Sequence, residues 1–117
     1  MTTTATPTTA AAAAISSVVT DGSDIVALGS FNKSNFNIDA LVIRLDHTGA
    51  TVPGFGTNGV VTNDLATADY MTDVAVDTSG RVVVTGQAVG IFSGVSDISA
   101  FRLLSNGTLD PSFGRSA

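Results

Sequence analysis

Apolar and polar positions alternate along this chain in short runs with the two-residue period of a β-strand, and each run stops at a turn signal. Ile15, Ser17 and Val19 share one side of such a run, which ends at a tight turn over Asp21, Gly22 and Ser23. Residues 25–28 read as a buried strand ending at Gly29. A long polar loop is expected from Ser30 to Asp39, then a strand over 40–45, a turn from Asp46 to Gly49 and a corner from Pro53 to Gly56. Further strands are predicted over 59–62, 73–76, 81–85 and 99–104, with a second long loop from Gln87 to Asp97.

These runs repeat. Arg44, Leu45, Gly49, Pro53, Phe55 and Gly56 return as Arg102, Leu103, Gly107, Pro111, Phe113 and Gly114, each 58 positions later. Val19, Val26 and Gly29 return as Val76, Val83 and Gly86 at an offset of 57, so a one-residue slip lies in the loop between the two sets. Four short strands in a unit of nearly sixty residues is the pattern of a propeller blade. The expected fold class is therefore all-β, with two four-stranded propeller-blade-like repeats at 15–56 and 57–114. A Thr/Ala-rich leader occupies 1–14 and a short tail 115–117. The leader reads equally as a disordered segment or as an edge strand, to which Pro7 would confine it.

The segments 73–86 and 101–114 resemble the delta-60 repeat, found in long bacterial proteins. The likeness is strong in the second unit and looser in the first, where Val52 and Gly54 stand at the positions of Asp110 and Ser112. It implies a propeller-like fold and an extracellular or cell-surface origin, and it supplies no activity and no catalytic residues. A propeller needs about four to eight blades, and a repeat array about three or more units. Two repeats are thus expected to complete a propeller by cyclic homo-oligomerisation, three chains giving six blades or four giving eight. A sandwich dimer is the runner-up, and a third reading makes the chain a piece of a longer repeat protein.

Composition agrees with burial against other chains. Only 13% of residues are charged against 44% hydrophobic, where an average soluble domain has about 25% charged. All ten acidic residues are Asp, which favours turns over helix interiors. A net charge of −5, with one Lys and four scattered Arg, leaves no basic patch for nucleic acid. No apolar run approaches the roughly 20 residues of a membrane-spanning helix, and the N-terminus lacks a signal-peptide pattern. The absence of Cys removes thiolate metal sites and thiol catalysis.

Candidate chemistry is sparse. His47 is the one histidine the composition offers as a general base, and a Ser-His-Asp hydrolase of esters or lactones would have to use it, with calcium-activated water as the other route to a base. No G-x-S-x-G elbow accompanies it. Asp21 with Asp24, and Asp73 with Asp77, are the carboxylates that calcium would use, although no EF-hand loop is present. Turn formation explains these Asp residues as well. Arg44 and Arg102 are expected to pair with Asp39 and Asp97, five positions upstream of each, or else to hold an anion between blades. The two long loops, with Phe31, Asn35, Phe36, Ile91 and Phe92, form the expected ligand surface together with Arg44 and Arg102. Phe55 and Phe113 read as aromatic plugs at the corners. The sequence thus favours a non-enzymatic binding or structural module of unknown ligand, without a cofactor, whose expected partner is a copy of itself.

Overall fold

In the computed structural model, residues 12–34, 37–63, 68–89 and 96–113 are described. They form seven strands: β1 Ala12–Asp21, β2 Asp24–Ser34, β3 Asn37–Leu45, β4 Val60–Asn63, β5 Ala68–Val76, β6 Val82–Val89 and β7 Ser96–Leu103. β1 to β4 pair in chain order as one antiparallel sheet. β5 to β7 do the same as a second sheet. A single parallel bridge, Ile38 to Ala68, connects them. The all-β, blade-like expectation holds for the described residues, with sheets of four and three strands. The sheets and the sequence repeat are out of phase by one strand, because β4 follows the first Pro-Phe-Gly corner yet pairs back onto β3.

The loop expected over Ser30 to Asp39 is largely strand. β2 continues to Ser34 and β3 starts at Asn37, with Phe31 opposite Asp39. Polar side chains misled the reading here: a strand in the middle of a sheet tolerates them when its backbone is fully paired. Phe31 is consequently buried beside Leu41 and Ile43, with Leu45 and Val60 packed against them. Asn35, Phe36, Ile91, Phe92, most of the Thr/Ala-rich leader and Gly114 lie outside the described residues.

Register shows how the units correspond. Gly29 faces Leu41 in the first sheet and Gly86 faces Ser99 in the second, so β2 maps onto β6 at an offset of 57 and β3 onto β7 at 58. The first strands map at 56. A bulge between Ile15 and Ser17 recurs between Met71 and Asp73. The bulge hydroxyls behave alike, Ser16 Oγ donating to Leu28 O at 3.3 Å and Thr72 Oγ1 to Thr85 O at 3.5 Å. Val19 therefore corresponds to Ala75 and not to Val76. The sequence match was displaced because the β5–β6 turn is one residue longer than the β1–β2 turn.

The principal core lies between the two sheets. From the first sheet come Val26, Leu28, Ala40, Val42 and Phe55, with Val19, Val52 and Val61 at the margin. From the second come Met71, Val74, Val82, Val84, Phe101 and Leu103, with Val76 at the margin. Burying a side chain of this size stabilises by roughly 1.5–3 kcal/mol, so this interface dominates the stability of the pair. At its rim the Gly56 N–H donates to Asn106 O at 2.8 Å, joining the corner of the first unit to the turn of the second.

Candidate functional site

The charged groups of the second unit gather where β7 runs into its corner. Arg102 lies one residue before the end of β7 with its guanidinium beside Asp110, the two Nε and NH2 contacts being 2.8 and 2.7 Å. Asp110 is buried because the corner folds back on the strand, its own N–H donating to Arg102 O at 2.8 Å. The other carboxylate oxygen accepts from Ser112 N at 3.0 Å and Ser112 Oγ at 2.7 Å. The Ser112 hydroxyl first, and the Arg102 guanidinium next, lower the Asp110 pKa to about 2. The Phe113 ring stacks on Arg102 at 4.8 Å from the centroid. These residues form one corner clamp.

The first unit solves the same problem differently. Val52 occupies the position of Asp110, and its N–H donates to Arg44 O at 3.0 Å. Arg44 turns instead to the β1–β2 turn, with NH2 2.6 Å from Asp21 and Nε 2.8 Å from Asp24. Burial works against the Arg44 charge, but these two carboxylates more than offset it and hold the guanidinium above its ordinary pKa range. In the second unit Arg81 replaces Asp24 and binds Asp77 at 2.7 Å. A cation at that turn would repel Arg102, so the carboxylate moves to the corner. The exchange of Asp24 for Arg81 and of Val52 for Asp110 is one compensated rewiring. Arg44 thus holds Asp21 and Asp24, and Arg102 holds Asp110, carboxylates other than those that the five-residue spacing to Asp39 and Asp97 suggested.

His47 is exposed in the β3 turn. Its neighbour Asp46 is occupied by that turn, its Oδ1 accepting from Thr48 N at 2.8 Å, Thr48 Oγ1 at 2.6 Å and Ala50 N at 3.1 Å. The Thr48 hydroxyl is the largest cause of the lowered Asp46 pKa. Asp77 behaves likewise, accepting from Ser79 N at 2.9 Å and Arg81 N at 3.0 Å; the Arg81 N–H is the main cause of its lowered pKa. Asp73 accepts from Val74 N at 3.0 Å. Among the described residues no three His or Asp side chains gather at metal-binding spacing. Asp21 and Asp24 do come together, but around Arg44. The sequence missed Asp110 as the partner of Arg102, and Ser112 as the partner of Asp110, although the Asp-Pro-Ser corner was in view.

Residues 78–113 match a family model described as a domain of unknown function (DUF5122) beta-propeller. The match spans the β5–β6 turn, β6, β7 and the corner clamp. Comparison with curated proteins and with solved structures gave no match.

Proposed function

We propose that this chain is a non-enzymatic structural or binding module of the delta-60 repeat type, which completes a propeller by cyclic association of identical copies. The observation that carries this reading is the packing of two blade-like antiparallel sheets across one apolar core, the second of them matched over 78–113 by a beta-propeller family model. The outer edge of β3 is covered by β4, with four residue pairs from Ala40–Asn63 to Ile43–Val60. Two blades are also too few to close a propeller by themselves.

The charged residues support a structural role. Arg44, Arg81 and Arg102 each hold a carboxylate that fixes a turn or a corner, and such groups position backbone without reacting. The proposed module needs no cofactor, and Asn35, Phe36, Ile91 and Phe92 are the residues proposed to meet a ligand. A generic ester and lactone assay on the full chain, with and without chelator and with His47→Ala, tests the non-enzymatic part. No turnover above buffer is expected. Turnover abolished by the substitution or by the chelator would overturn it in favour of a small hydrolase.

A further inference from the structure

Each sheet has two faces, and the repeat assigns them. The face of the first sheet that meets the second carries Val19, Val26, Leu28, Val42 and Phe55. The register maps these onto Ala75, Val83, Thr85, Ala100 and Phe113, which lie on the outward face of the second sheet. Ala75, Thr85 and Ala100 are exposed there, and Val83 and Phe113 half-buried.

The opposite comparison gives the complementary result. The face of the second sheet buried against the first includes Met71 and Val74, at 4% and 6% exposure. Their counterparts are Ile15 and Val18 on the outward face of the first sheet, at 49% and 59% exposure. These two belong to a small group of large exposed apolar side chains among the described residues. The β2 and β3 part of that same face is already covered at Ala27 and Ile43, so the open patch is its β1 side.

The geometry points to a head-to-tail contact between two copies, in which the Ala75–Val83–Ala100 face of one receives the Ile15–Val18 face of the next. The contact repeats the part of the sheet-to-sheet interface that β1 and β5 make inside each chain. A hydroxyl marks the register. Ser16 Oγ lies 3.3 Å from Met71 O across the internal interface; its counterpart Thr72 would meet Ile15 O of the following copy. Because the two patches differ, the contact is heterologous: it propagates into a ring or a filament and does not close as a two-fold dimer. This inference rests on the association proposed above and specifies its surfaces.

Cysteine trapping tests it cleanly, since the chain contains no Cys. Val18→Cys and Ala75→Cys chains, one of them tagged, are refolded together and treated with a short bismaleimide, while light scattering gives the mass. The expected result is mixed Val18→Cys/Ala75→Cys product in excess of either self-linked product. Self-linking of Val18→Cys alone means a two-fold dimer and overturns the inference. An assembled mass without mixed product overturns these surfaces but leaves association standing. A single-chain mass overturns both. Val18→Asp supplies a second readout: its side chain is solvated in the lone chain, so the fold is retained while the mass falls towards one chain. An unchanged assembled mass in this variant counts against the contact.

Discussion

Replacing Gly107 by Ala probes the seam between the sheets. Gly107 has φ +90°, and a Cβ there would stand 2.5 Å from Gly56 N and 3.0 Å from Val61 Cγ2. Holding a residue with a Cβ in the left-handed region costs about 1–2 kcal/mol. Forcing a methyl against backbone that cannot yield adds about 1–3 kcal/mol. The Gly56 N–H to Asn106 O bond would be pushed apart, with a further loss of about 1 kcal/mol. The combined loss of about 3–6 kcal/mol is a large fraction of the 5–15 kcal/mol that folded domains possess. Gly22→Ala is the matched control, because Gly22 has φ +61° but nothing within 4 Å of its added Cβ. It carries the conformational term alone, about 1–2 kcal/mol. Urea unfolding followed by far-ultraviolet circular dichroism gives both values. Equal losses for the two variants would show that the second turn does not press on the first corner, and the seam as described would be wrong.

Other outcomes follow from the same contacts. Phe55→Ala, at a fully buried ring in the inter-sheet core, should cost about 3–5 kcal/mol in urea. Phe113→Ala in the half-buried counterpart should cost about 1 kcal/mol, chiefly the Arg102 contact, and a larger loss would mean that its ring is covered. The Asp110 pKa is lowered in the fold, to about 2, so its stabilising contribution is complete above pH 4 and is lost as pH falls through about 2. Thermal melts from pH 5 to pH 2 should show this decline, and Asp110→Asn should flatten it; an equal slope in the variant would contradict the clamp. Val52→Asp with Asp24→Arg transplants the second unit's wiring onto Arg44, and should unfold at higher urea than Asp24→Arg alone.

Strand existence and the repeat were legible because alternation reports half-buried strands directly, and Gly49 and Gly107 mark equivalent turns. Strand length was less legible. Ser30, Asn32 and Asp39 read as loop, yet their backbones pair within the sheet and Asp39 is buried. The ion pairs were hidden for another reason. Arg44 reaches residues 20 and 23 positions away across the sheet, whereas Arg102 reaches one only 8 away, so equivalent positions in the repeat do not share partners. The match at Val19 and Val76 misled because valines are plentiful; register alone separates Val76 from Ala75. The outward exposure of Ile15 with Val18 was not legible, since alternation places Ile15 on the side of Val19 and only the bulge between Ile15 and Ser17 moves it to the side of Val18.

The most direct measurement is the mass of the folded chain in solution by light scattering across a dilution series. The proposed cyclic association predicts a fixed assembly of three or four times the 11.7 kDa chain, stable on dilution until the interface dissociates. A folded species of 11.7 kDa at every concentration would contradict it.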